Sequence, residues 1–150
     1  MAIARLRAVF ATDGRYGDAP GEFKPDPKAS AQVNRGAYLA NALGHCGECH
    51  TARNAMGGLR RDRHFAGATG PDGKGVPNIT PAALKKWRDK DFIDFLGSGL
   101  TADGDEPAKA MGDVIRNTTS QLTQEDLAAM IAYLRSIPAI ESENAPEKKK

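Results

Sequence analysis

Cys46-Gly47-Glu48-Cys49-His50 places two thiols and an imidazole in one short run, a spacing suited to covalent attachment of c-type haem. Each thiol can add across one porphyrin vinyl group, and the two residues between them let the backbone turn far enough for both sulfurs to reach one edge of the macrocycle. His50 follows at once, so the same segment offers an axial nitrogen to the iron. Other chemistries suit the residues less well. A dithiol redox centre sits between a strand and a helix in a βαβ setting that this sequence lacks. Zinc needs four ligands, usually from two pairs, and the chain has only 2 cysteines. A disulfide inside one tight turn would close almost no loop and so restrict the unfolded chain little.

The segments that must hold this motif are legible as helices and turns. From about Ser30 to Gly44, Val33, Gly36, Ala37, Ala40 and Leu43 recur at helical spacing; the helix delivers the chain to Cys46, and Gly44 is its expected stop. A glycine- and turn-rich stretch runs from Thr51 to about Thr80. Thr80-Pro81 reads as an N-cap followed by a first-turn proline, and Asp89–Leu96 reads as a short amphipathic helix closed by Gly97. Residues 97–107 read as a loop. A last helix opens near Thr123, where Thr123 and Asp126 resemble a capping pair, and presents Leu127, Met130, Ile131 and Leu134 along one face before Pro138 ends it. No strand of convincing alternation and no repeat is found. The chain thus divides into an extended N-terminal arm or interdomain linker over 1–29, a helical domain over 30–138 and a solvated tail over 139–150.

Composition narrows the function classes. The chain has 150 residues, enough for one domain with an extension. Its hydrophobic fraction of 40% and aromatic fraction of 6% offer a modest core, so a buried porphyrin would form part of the fold. A formal net charge of +2 and a pI near 8.6, with no basic stripe of interleaved aromatics, argue against nucleic acid as a partner. No apolar run is long enough for a transmembrane segment, and Met1–Phe10 lacks the features of a signal peptide. Because c-type haem is attached outside the bacterial cytoplasm, the sequence is expected to be a mature form or an excised domain of an exported protein, working in the periplasm or at the periplasmic face of the inner membrane.

Gly36-Ala37-Tyr38-Leu39 ahead of the haem motif, Pro77-Asn78-Ile79-Thr80-Pro81, Met111, and Ala132-Tyr133-Leu134 in the last helix together resemble a class I cytochrome c domain over roughly residues 30–138. The runs 34–54 and 116–138 are similar to the cytochrome subunits of bacterial membrane-associated alcohol, aldehyde and other small-molecule dehydrogenases, which often hold several such domains in series. The resemblance implies an all-α fold in which the N- and C-terminal helices cross near Gly36 and Tyr133 around one covalently bound haem c. A residue without a side chain facing an aromatic permits that close approach.

The resemblance also implies that Met111 supplies the sixth iron ligand. Among the other thioethers, Met56 lies too near His50 to pass round the porphyrin edge, Met130 sits on the apolar face of the last helix and Met1 is terminal. His64 is the competing nitrogen ligand, since His45 adjoins Cys46 and shares its side. Pro77, 27 residues beyond His50, is the family-like carbonyl partner for the other ring nitrogen of that histidine. Arg53, Arg60, Arg61, Arg63 and Lys74 could pair with haem propionates, form a docking patch for an acidic partner or simply be solvated. Trp87 and Tyr38 either line the haem pocket or merely pack. With both axial positions filled, single-electron transfer is the chemistry that remains. The expectation is therefore an electron carrier and no enzyme, with a dehydrogenase as donor and a cytochrome or oxidase as acceptor. The alternative is a haem enzyme or ligand sensor with an open or displaceable sixth position.

Overall fold

A computed structural model describes residues 23–101, 104, 107 and 109–143. Most of the expected arm (1–22), the tail end (144–150), Met1 and parts of the loop before Met111 lie outside the described residues. Helix α1 (Ala31–Ala37) starts at Ser30, whose hydroxyl accepts from the Val33 N–H at 3.1 Å, a standard N-cap arrangement. The helical ladder then slips by one residue into a π-helix over Tyr38–Leu43, closed by the Gly44 N–H on the Leu39 carbonyl at 2.7 Å. Gly44 caps this helix, as expected. It remains right-handed, and the reversal falls on His45 at φ +47°. Gly44 is required by crowding: a Cβ there would lie 2.9 Å from the Leu39 carbonyl oxygen and 3.3 Å from Cys46 Sγ.

Helix α2 (Cys46–His50) follows directly. The chain then runs through a 3₁₀ turn at Arg61–Arg63 and a hairpin of β1 (Ala68–Thr69) and β2 (Gly75–Val76), paired antiparallel with Ala68 opposite Val76. Strands of two residues are too short to carry the alternation by which a sequence announces them. Helix α3 (Pro81–Leu84) opens with proline at its first position, as expected, although the Thr80 hydroxyl serves other partners than a cap. Helix α4 (Asp89–Ser98) passes through Gly97 and ends at Gly99, which adopts φ +83° and donates to the Phe95 carbonyl at 2.8 Å. The left-handed conformation falls on the second glycine, so that one is the stop.

Helix α5 (Lys109–Asn117) was not foreseen, although Ala110, Met111, Val114 and Ile115 recur at helical spacing, and it carries Met111. A 3₁₀ turn at Thr119–Gln121 leads to α6 (Gln124–Ser136). Thr123 Oγ1 accepts from the Asp126 N–H at 3.2 Å, and Leu127, Met130, Ile131, Tyr133 and Leu134 are buried, as the apolar stripe foretold. Ile137 is extended, the conformation that a following proline imposes.

Helices α1 and α6 cross at Gly36. A Cβ on this residue would overlap the Ala129 carbonyl oxygen and lie 2.8 Å from Tyr133 Cβ. The Arg35 guanidinium bridges the crossing with two 2.7 Å hydrogen bonds to the Asp126 carboxylate. Around it, Leu39, Ala40, Phe65, Leu84, Phe92 and Leu96 join the buried face of α6 in one core. Trp87 packs against this core edge-on to Phe92 and Phe95, whereas Tyr38 is more exposed and meets Phe23 edge-on at 5.6 Å.

Residues 140–143, within the segment expected as a tail, are tied to the domain: the Glu143 carboxylate is held by Arg60 at 2.8 Å and the Ile140 carbonyl accepts from Asn78 at 2.6 Å. Such pairings between distant segments leave no periodic trace in sequence. Among the described residues, no helix is long and apolar enough to cross a membrane.

Candidate haem-attachment site

The left-handed residue His45 turns the chain sharply out of the π-helix and starts α2, so both cysteines and His50 lie on one short helix. Cys46 is half-buried and packs against the core, while Cys49 is exposed; both are free thiols. Burial pushes the Cys46 thiol up to about 11. Redox-active dithiols show the opposite shift, since their attacking sulfur must ionise. A thiol kept protonated beside an apolar core is poor at disulfide exchange.

The His50 ring is oriented by a hydrogen bond from Nδ1 to the Pro77 carbonyl oxygen at 2.8 Å. A carbonyl can only accept, so the proton resides on Nδ1 and the Nε2 lone pair is available to a metal. Burial lowers the His50 pKa, partly opposed by that hydrogen bond, and the neutral imidazole is the form that ligates. Pro77 comes within reach because the intervening loop doubles back. The Gly67 N–H donates to the His50 carbonyl and the Ile79 N–H to the Phe65 carbonyl, both at 2.9 Å. Gly67 has φ +90°, and a Cβ there would lie 2.9 Å from the Val76 oxygen and 3.1 Å from the Asn78 nitrogen, so only glycine lets the returning strand pass so closely.

His64, the competing nitrogen ligand, lies behind the attachment helix. It is buried, its Nε2 is 3.1 Å from Asn41 Oδ1 and its ring stacks on Phe65 at a 3.8 Å centroid separation. A Cβ on Gly47 would come within 3.2 Å of its Cε1, which puts the imidazole beneath α2. The Asn41 amide donates in turn to the Ala37 carbonyl at 2.8 Å and to the Tyr133 hydroxyl at 2.9 Å. This buried chain joins the helix crossing to the haem-attachment helix. Asn41 was missed in the sequence because the π-helical slip turns it inward; an asparagine inside a helix was the only available sign.

Of the methionines, Met130 is core and Met56 is exposed. Met111 is half-buried in the first turn of α5 and packs against the same core as Cys46. Most of the basic loop is engaged within the chain: Arg53 pairs with Glu48 at 2.5 Å, Arg60 with Asp62 and Glu143, and Arg63 with Glu143 and the Glu141 carbonyl.

This donor set fits a haem c. Two free thiols and an imidazole with an unprotonated Nε2 share one short helix, and the glycine between the thiols leaves room for the ring behind it.

Comparison with known proteins agrees. Residues 33–138 match the cytochrome c family model. A diheme cytochrome c-type protein of Cereibacter sphaeroides is 52% identical over 111 residues, covering 73% of this chain and 37% of the relative. The fructose dehydrogenase cytochrome subunit of Gluconobacter japonicus is 38% identical over 109 residues, 71% of this chain and 22% of the relative. The gluconate 2-dehydrogenase cytochrome c subunit of Pantoea cypripedii is 30% identical over 147 residues, 91% of this chain and 32% of the relative. The chain therefore spans well under half the length of each. With its helix crossing, its Cys-x-x-Cys-His helix and this kinship in hand, the chain belongs to the cytochrome c family and is an electron-transfer domain related to the cytochrome subunits of dehydrogenases.

Proposed function

We propose that this domain carries one haem c, tethered through Cys46 and Cys49 and ligated axially by His50 and Met111, and passes single electrons from a small-molecule dehydrogenase to a respiratory carrier or oxidase on the periplasmic side of the inner membrane. The observation that carries the reading is the 2.8 Å hydrogen bond from His50 Nδ1 to the Pro77 carbonyl, which leaves Nε2 as the ligating atom. The single attachment motif and the 2 cysteines of the chain support one haem in this domain. The dehydrogenase donor is suggested by the names of the fructose and gluconate dehydrogenase relatives.

When bound, the haem supplies the one-electron chemistry. The protein's task is to keep its environment unchanged as the charge alters. The Pro77 carbonyl holds the imidazole proton on Nδ1 and fixes the ring plane. The π-helix and the His64–Asn41–Tyr133 chain brace α2 from behind, and the apolar core excludes water from the side on which Cys46 packs. A thioether from Met111 would close the sixth position to small ligands and raise the reduction potential.

The visible spectrum of protein matured with haem-attachment machinery tests this directly. The expected result is covalent haem that survives a denaturing gel, a low-spin ferrous form slow to take up carbon monoxide, and a weak methionine-to-iron charge-transfer band in the ferric form that disappears in Met111→Leu. A high-spin ferrous form that takes up carbon monoxide readily in the wild type would favour an enzyme or sensor with an open sixth position.

A further inference from the structure

After α6 the chain turns back across the loop that carries Pro77. The Thr80 hydroxyl, fully buried, donates to the Ile140 carbonyl at 3.1 Å and accepts from the Ile140 N–H at 3.2 Å. The Asn78 amide donates to the same carbonyl at 2.6 Å and to Ser142 Oγ at 3.1 Å, while its Oδ1 accepts from the Thr80 N–H at 2.8 Å. Farther along, the Glu143 carboxylate takes two hydrogen bonds from Arg60, at 2.8 and 3.0 Å, and lies 3.5 Å from Arg63. Arg63 also donates to the Glu141 carbonyl at 2.5 Å. Asn78 is joined by one peptide bond to Pro77, and the Pro77 carbonyl holds His50.

We propose that residues 139–143 act as a strap that positions His50. Through Thr80 and Asn78 the strap immobilises the Pro77 carbonyl, and the carbonyl in turn fixes the orientation and basicity of the imidazole. Asn78, Thr80 and Glu143 are thus positioning residues that act through Pro77, and the inference rests on the reading of His50 as the axial ligand. Within the loop from Thr51 to Thr80 this carbonyl is flanked only by a hairpin of two-residue strands and by the Ile79 N–H on the Phe65 carbonyl. A peptide group in such a loop explores several orientations unless another segment restrains it. Loosening the strap lengthens the His50 hydrogen bond and lowers the electron density on the imidazole. The ferric state then loses some stabilisation, and the reduction potential rises.

The test uses the full chain with its haem attached, measuring by NMR the exchange rate of the His50 Nδ1 proton in the ferrous state together with the reduction potential. Thr80→Val removes the hydroxyl that holds both groups of Ile140, Thr80→Ser keeps it, Glu143→Gln weakens the far end of the strap, and Thr123→Ala removes a distant helix cap as a control. Thr80→Val is expected to exchange about tenfold faster with a raised potential, Glu143→Gln to move the same way by less, and Thr80→Ser and Thr123→Ala to stay at the wild-type values. Unchanged exchange and potential in both Thr80→Val and Glu143→Gln overturn the proposal, as does an equal acceleration in Thr123→Ala. If Thr80→Val does not fold, Glu143→Gln decides the matter alone. Wild-type protein without covalent haem or without His50 ligation would instead overturn the functional reading, so the two failures are separable.

Discussion

Gly36→Ala is the sharpest perturbation of the fold, because local and tertiary effects act in opposite directions. In an isolated helix alanine is favoured over glycine by about 1 kcal/mol, and α1 is otherwise a good helix with a satisfied Ser30 cap. On propensity alone the variant should be more stable. In the folded protein the new methyl group would overlap the Ala129 carbonyl oxygen, with the Ala129 carbonyl carbon at 2.5 Å and Tyr133 Cβ at 2.8 Å. Two of those atoms are backbone of α6, which cannot rotate away as a side chain would. The two helices must therefore separate. Overpacking of this kind costs roughly 1–3 kcal/mol and more where the obstacle is rigid; taking about 3 and subtracting the propensity gain leaves roughly 2 kcal/mol of destabilisation. For a chain of this size that lowers the melting temperature by roughly 4–8 °C. Separation would also stretch the Arg35 bridge to Asp126 and displace Tyr133 from Asn41. Thermal melts of the haem-loaded protein, followed by far-ultraviolet circular dichroism and by the Soret band, provide the measurement, and Gly36→Val should be worse. A Gly36→Ala protein melting at or above the wild type would show that propensity wins and that the helices do not meet there.

Burial lowers the His64 pKa from 6.5 to about 4. The unfolded chain therefore binds more protons between these values, so stability is present above pH 6.5 and is lost as the pH falls toward 4. Between pH 7 and pH 4.5 the loss is about 2–3 kcal/mol. Urea unfolding at both pH values should show His64→Asn to be less pH-dependent than the wild type by about that amount, and identical slopes would refute the assignment. Thr123→Ala should cost about 1 kcal/mol in denaturant unfolding, with Thr123→Ser close to neutral, since Oγ1 satisfies the Asp126 N–H. Met111→His should lower the reduction potential by replacing a thioether with an imidazole; potentiometry showing no change would remove Met111 from the iron.

The chemistry and the ends of the two crossing helices were legible without a structure because each depends on residues only a few positions apart. Two thiols and an imidazole point to haem attachment by spacing alone, Thr123 caps the backbone three residues on, and the apolar stripe of α6 repeats at helical period. Gly36 and Tyr133 could be paired through family resemblance, but only the packed helices show that the site where a Cβ would sit is already filled by α6. Tertiary structure likewise decided which glycine stops α4, because Gly97 and Gly99 are equally permissive and only the backbone shows which adopts positive φ. It turned Asn41 inward through the π-helical slip, placed His64 beneath α2, and brought residues 139–143 onto Asn78 and Thr80. These are hydrogen bonds and contacts between segments far apart along the chain. Their formation depends on how loops close and helices cross, which single-residue preferences do not encode.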